Sequence, residues 1–259
     1  MNKKQWVIFL ICILAVASAM CYIVYYFTVK SHNELVYEQI QNIVSTPTDP
    51  MVEKEPAEQV VEEETPEEIP VDFETLWAIN PDVYAWIEIP GTEIAYPILQ
   101  HPTDDSYYLN HTIEGVEGYP GSLYTERCDA KDFSDFNTVI YGHNMKDRSM
   151  FGSLKDYRDS VFLSEHREII IYTPTEKRIY QVFAAVVYDD RYIPDVYDDN
   201  DPEDRQAFLD SISGTRDLNS QVLDDVEVTT DSQILTLSTC IGGQPNNRYL
   251  VEAVYVGEE

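Results

Sequence analysis

The chain has 259 residues, 47 acidic against 17 basic, for a formal net charge of −30, and 44% of its residues are hydrophobic. That length and apolar content support a folded body with a buried core, while the acidic excess repels phosphate backbones and excludes nucleic-acid binding. Four cysteines in a chain this long are not a disulfide scaffold, and none stands in a CxxC or Cys/His pattern of zinc-site spacing.

Residues 1–5 carry Lys3 and Lys4, and from Trp6 to Val29 the sequence WVIFLICILAVASAMCYIVYYFTV has no charge. As a helix, 24 residues span about 36 Å at ~1.5 Å each, enough for a bilayer core of ~30 Å. The stretch is therefore expected to be a transmembrane helix over 6–29, with Cys12 and Cys21 as small apolar side chains inside it. The alternative is a cleaved signal peptide ending near Ala17-Ser18-Ala19, but the apolar run is longer than such segments need. The lysines ahead of the span put residues 1–5 in the cytoplasm and all that follows Lys30 outside the cell.

Ser31 to Val44 keeps helical apolar spacing at Leu35, Val36, Ile40 and Ile43, so the helix is expected to continue outward. Thr46 to Pro70 is rich in Pro and Glu, with only Lys54 as a base. It reads as an extended, self-repelling tether, which makes residues 30–71 a stalk. A domain then fills 72–259. Phe73 to Ile79 is a brief helix stopped by Asn80-Pro81. Eight strand-like runs follow between turn residues: VYAWIEI, IAYPILQ, GSLYTE, TVIYGH, EIIIYTP, RIYQVFAAVVY, QILTLSTC and RYLVEAVYV. Helical inserts are expected near Ser149 to Tyr157 and at Asp201 to Ile212, the second opening on Asp-Pro with an acidic first turn. Short strands with few helices predict a mainly β barrel or sandwich.

Cys240 ends one strand-like run and Arg248 begins the next, with IGGQPNN between them as a loop, so antiparallel neighbours would hold the two on one rim. His143 ends NTVIYGH and joins them if its strand reaches the same rim. A thiolate can attack a carbonyl, an imidazole can hold that thiolate and protonate a leaving amine, and a guanidinium can donate to the oxyanion. A buried inert cysteine and a locally satisfied histidine are the competing readings of those residues taken singly. Two function classes can be weighed against this set of residues. A hydrolytic cysteine peptidase lacks support, since neither CGSCW nor QACxG is present. A non-enzymatic surface-binding module would explain anchor and barrel but not the Cys/His/Arg set.

TLSTC followed by Arg248, with YGHNM at Tyr141 to Met145, resembles the sortases, membrane-anchored cysteine transpeptidases of Gram-positive bacteria. YGHNMKDRSMFGSL, the Asp72 to Gln100 stretch, DDSYYLN at Asp104 to Asn110 and a helix inserted between the sixth and seventh strands are similar to class B. The resemblance covers Asp72 to Val256 and implies an eight-stranded sortase-type β-barrel with Cys240 as nucleophile, His143 as general acid/base and Arg248 as oxyanion and positioning residue. It also implies cleavage after Thr in a C-terminal sorting motif, similar to NPxTN or an xPxTG variant. The thioester would be resolved by a peptidoglycan amine or, in pilin-polymerising relatives, a pilin lysine.

Further residues implied at the substrate groove are Ser238 and Thr239 beside the nucleophile and Tyr192 and Ile193 ahead of the inserted helix. The expected partners are a sorting-motif surface protein, a peptidoglycan precursor amine and the membrane, with the enzyme a monomer. No cofactor and no metal is expected, since acids such as Glu126 and Asp189-Asp190 read as solvated surface. Asp147, Asp224, Asp225 and Asp231 each stand open as a carboxylate orienting His143, and Cys128 reads as structural rather than as a partner of Cys240.

Overall fold

A computed structural model of the chain describes residues 2–44 and 69–257. The tether expected over residues 46–70 lies outside the described residues except for its last two. In the first stretch a single helix, α1 (Lys3–Val44), runs unbroken through both the expected span and the segment after it. It is long and apolar enough to cross a membrane.

The second stretch opens on α2 (Phe73–Ile79). Asp72 caps it, accepting from the Thr75 N–H at 3.0 Å and the Thr75 hydroxyl at 2.7 Å. The helix stops where Asn80 turns extended ahead of Pro81. The strands are β1 (Val83–Glu88), β2 (Ala95–Leu99), β3 (Leu123–Tyr124), β4 (Asn137–Tyr141), β5 (Glu168–Tyr172), β6 (Lys177–Asp189), β7 (Gln221–Val222), β8 (Ile234–Ile241) and β9 (Gln244–Gly257). Hydrogen-bonded neighbours run β5-β1-β2-β3-β4-β8-β9-β6, and β6 pairs back onto β5. Eight strands therefore close a barrel, with β7 a two-residue addition beside β6. Two pairings are parallel, β2 with β3 and β4 with β8.

Alternation of side chains splits β8 and β9 between two cores. Leu235, Leu237, Val251 and Ala253 point into the barrel and are fully buried. Ile234, Leu250 and Val254 point outward and pack with Phe208 and Ile212 of α5 (Pro202–Ser213) and with Ile193 of α4 (Ile193–Val196). Asp201 caps α5, accepting from the Glu203 N–H at 2.9 Å.

Two expectations need correction, and two elements are new. The insert placed at Ser149 to Tyr157 is instead a 3-10 turn (Leu154–Arg158) followed by α3 (Ser160–Glu165). Arg148 (φ 75°) and Met150 (φ 52°) hold left-handed backbone that no helix tolerates, and the cap is Asp159, whose side chain accepts from the N–H groups of Val161 and Phe162. The segment IGGQPNN is no open loop: Ile241 pairs with Gln244 across a two-residue turn in which Gly243 has φ 78°. The three residues 245–247 then bulge before Cys240 meets Arg248. Finally, β7 and α4 were not anticipated.

Candidate active site

Cys240 is the last outward-facing position on β8, and its thiol is exposed. Register does the positioning. Antiparallel β9 sets Arg248 directly opposite Cys240. Parallel β4 sets Tyr141 level with Ser238, and the pairing continues past the strand, as the Gly142 N–H donates to the Ser238 carbonyl at 3.1 Å. His143, two residues beyond Tyr141, therefore arrives level with Cys240, two residues beyond Ser238. Two side chains fasten this junction. The Thr239 hydroxyl donates to the Gly142 carbonyl at 2.7 Å, and Asn144 Nδ2 donates to the Cys240 carbonyl at 2.8 Å. Gly142 is required by close packing, since a Cβ there would lie 2.4 Å from Leu123 Cδ2 and 2.6 Å from Phe151 Cδ2.

The half-buried His143 ring is held on one side by Nε2, which lies 2.6 Å from the Leu109 carbonyl. A carbonyl only accepts, so Nε2 carries the hydrogen and Nδ1 is left for proton exchange. The Tyr119 ring packs beside it at 5.2 Å between centroids. None of the four acids raised from sequence holds this ring among the described residues. Asp225 instead forms a two-pronged pair with Arg167 at 2.5 and 2.9 Å, and Asp147 accepts from the Ser149 hydroxyl at 2.7 Å. The orienting group is a main-chain oxygen, which no residue type in the sequence signals.

Arg248 Nη1 donates to the carbonyls of Pro245 at 3.0 Å and Asn247 at 3.1 Å. Its Nε and Nη2 have no partner among the described residues and remain as donors. Beside it lies a cleft of about 130 Å³ whose lining includes Tyr141, Tyr188, Tyr192, Ile193, Ser238 and Arg248. Three of the four groove residues inferred from sequence thus share one cleft. Thr239 does not, because it faces the opposite side of β8 and spends its hydroxyl on Gly142. Asn144 was missed, although it follows His143 in the YGHNM segment. All four cysteines are free. Burial, with Asp129 and Glu126 nearby, pushes the Cys128 thiol up to about 12, so it stays protonated at neutral pH. Among the described residues no group of His, Cys, Asp and Glu is arranged to hold a metal.

A thiol, an imidazole and a guanidinium stand at one rim of an eight-stranded barrel, the three kinds of group that cysteine acyl transfer uses. The domain family described as Sortase domain matches residues 87–256. Sortase B of Staphylococcus aureus is 35% identical over 176 residues, covering 67% of this chain and 69% of that protein. Sortase B of Listeria monocytogenes is 34% identical over 176 residues, covering 67% and 68%. Among solved structures, sortase B from Bacillus anthracis in complex with AAEK1 superposes with a TM-score of 0.70 at 30% identity, covering 90% of this chain and 100% of that one. A Staphylococcus aureus sortase B–substrate complex gives 0.62 at 32% identity, covering 71% and 84%. The chain belongs to the sortase family, in its class B, and is a sortase-type cysteine transpeptidase. That membership sets aside the hydrolytic cysteine peptidase and the non-enzymatic binding module.

Proposed function

We propose that this sortase cleaves a C-terminal sorting motif, NPxTN-like or xPxTG-like, after its Thr and transfers the surface protein to a peptidoglycan amine. The observation that carries the reading is the shared register of Cys240 with His143 across β4/β8 and with Arg248 across β8/β9. The Cys240 thiolate attacks the Thr carbonyl carbon, and the developing oxyanion takes hydrogen bonds from Arg248. Collapse expels the amine of the next residue, which receives a proton from His143 and leaves a thioester on Cys240. The acceptor amine then attacks the thioester, gives a proton to His143, and releases the thiol with a new amide bond formed. Tyr192, Ile193 and Ser238 hold the peptide in the cleft beside Arg248. Excluding water there lets an amine outcompete hydrolysis.

Helix α1 is the membrane anchor in this reading. Residues 1–5 are cytoplasmic, 6–29 span the bilayer, 30–71 form an extracellular stalk and 72–259 the catalytic domain, working as a monomer. Lys3 and Lys4 ahead of the span support that orientation.

The test is to incubate the full-length chain in detergent with sorting-motif peptides, with and without diaminopimelate or oligoglycine, and identify products by mass spectrometry. Cleavage after Thr that accelerates with added amine is expected. Turnover indifferent to every amine defeats the transfer step, and products joined through a pilin lysine move the enzyme to pilus assembly. Protease added to wall-stripped cells should remove the catalytic domain, and a mature chain beginning near Met20 would overturn the anchor.

A further inference from the structure

One wall of the cleft beside Arg248 is braced by a carboxylate of the barrel, with the Cys128 thiol beside the same hydroxyl. Tyr192 lies on the turn between β6 and α4 and is 42% exposed. Behind it the turn is fastened to the end of β6 and to the helical layer. Arg191 pairs with Asp189 at 2.5 and 2.7 Å and donates to the Tyr197 hydroxyl at 2.8 Å. Tyr188, in turn, shares hydrogen bonds with Tyr197 and with Ser211 of α5. On the other side, the Tyr192 hydroxyl donates to Oε2 of Glu126, on the connection between β3 and β4. Among the described residues that hydroxyl is the sole hydrogen-bond donor to the Glu126 carboxylate, which has no cation beside it.

The main chain of Glu126 is itself hydrogen-bonded on both sides. Its carbonyl accepts from Nε2 of buried Gln100 at 2.7 Å, and the same amide lies 2.8 Å from the Asp129 carbonyl and 3.2 Å from Thr125 Oγ1. The Glu126 N–H donates to Oδ2 of buried Asp129 at 3.2 Å. Burial and the like charges of Asp105 and Asp195 raise the Glu126 pKa, so the fold keeps an unpaired acid here against an electrostatic cost. The main chain is clamped from inside the barrel, and only the carboxylate reaches out to the cleft wall. Read as sequence, Glu126 is a solvated surface acid; in the fold it is the fixed end of a strut.

We infer that Glu126 is a positioning residue for the peptide cleft: by accepting the Tyr192 hydroxyl it holds that ring in one pose against the sorting peptide. The inference rests on the reading of Tyr192 as part of the peptide-binding wall. An exposed tyrosine that must be immobilised on binding subtracts from affinity, and one already held does not. Glu126 touches neither the reacting carbonyl nor Cys240, so its effect falls on substrate binding and leaves the chemical step unchanged.

The test is steady-state transpeptidation of a sorting-motif peptide by the full-length chain in detergent, with a thermal melt of each variant. Glu126→Ala and Tyr192→Phe are each expected to raise KM roughly 3- to 10-fold, the size expected for freeing one side chain. In both, kcat stays within about twofold. The double variant should match either single one, because both remove the same bond. Glu126→Gln, whose amide oxygen still accepts the hydroxyl, should stay within about twofold of the parent KM. If Tyr192→Ala raises KM while Glu126→Ala and Tyr192→Phe do not, the strut is overturned and the peptide wall stands. If Tyr192→Ala leaves KM unchanged, both fall. Additive effects in the double variant, or a loss confined to kcat, also overturn it. Should Glu126→Ala fail to fold, Tyr192→Phe and Glu126→Gln make the same comparison with the carboxylate's volume kept.

Discussion

The rim and the middle of β8 and β9 use the same face of the same strand pair for opposite purposes. At the rim, Cys240 and Arg248 sit opposite one another with solvent access. Four cross-strand pairs further in, on the same face, Thr236 and Glu252 sit opposite one another at 0% exposure. The Thr236 hydroxyl lies 2.7 Å from Glu252 Oε2 and 2.8 Å from Asn137 Oδ1. One hydroxyl supplies one proton, so it serves both of these oxygens only if the Glu252 carboxyl is itself protonated. Burial agrees, pushing that carboxyl up to about 8 from an ordinary 4.5. Cover makes the difference between the two places. Leu250 and Val254, flanking Glu252 on that face, pack under Phe208 and Ile212 of α5, and that layer stops short of Cys240. A polar residue on a strand becomes a reactive group or a neutral core element according to what lies over it.

Breaking the rim should cost the most. Cys240→Ala is expected to abolish thioester formation and reduce transfer by at least ~10³-fold with an unchanged melting temperature, read by mass spectrometry of the acyl-enzyme and by thermal melt. His143→Ala should lose about 10²- to 10⁴-fold in kcat. Arg248→Lys should lose on the order of 10²-fold, because a point charge cannot replace a planar donor. Full turnover by Arg248→Lys would remove the oxyanion role.

Breaking the middle should leave the chemistry and change stability. Glu252 has a raised folded pKa, so its contribution is complete below about 4.5, where folded and unfolded chains are both protonated. It is lost as pH rises toward about 8, since the unfolded chain releases a proton that the folded one retains. Asp129, also pushed up to about 8 by burial, acts in the same direction. Denaturation midpoints should therefore fall between about pH 4.5 and 8, with Glu252 supplying at most ~1.4 kcal/mol per pH unit. Glu252→Gln should flatten part of that slope, leaving the share owed to Asp129. A slope identical in the variant would show that Glu252 ionises in the folded state. The smallest effect is expected at the junction of the two regions. Asn144→Ala removes the bond to the Cys240 carbonyl and should lower kcat by roughly 2- to 10-fold, the value of one hydrogen bond.

Much of the barrel is legible in the chain. Its eight strands are apolar or alternating runs between turn residues, and α2 and α5 announce their ends with Asp72, Pro81 and Asp201-Pro202. Elements without such signals escape, as with the two residues of β7 and the four of α4. The pairing of Cys240 with Arg248 is legible because hairpin neighbours are close in sequence. The place of His143 is not, because it depends on a parallel pairing between residues nearly a hundred positions apart, as Tyr141 with Ser238. Leu109 escapes because it acts through a backbone oxygen. Glu126 is misread because only the fold shows which acid meets Tyr192.

The position of β9 in the ring has a consequence for how the enzyme comes into being. This strand lies between β8 and β6, yet it follows all the others along the chain. A ribosome therefore delivers Cys240 before the strand that carries Arg248, and the barrel stands open along two edges until β9 arrives. During that interval Cys240 lacks its cross-strand neighbour Arg248, and the outer core lacks Leu250 and Val254. On the reading of Arg248 as the oxyanion donor, a chain interrupted before β9 carries Cys240 and His143 without it, and two unpaired edges stand exposed to other chains.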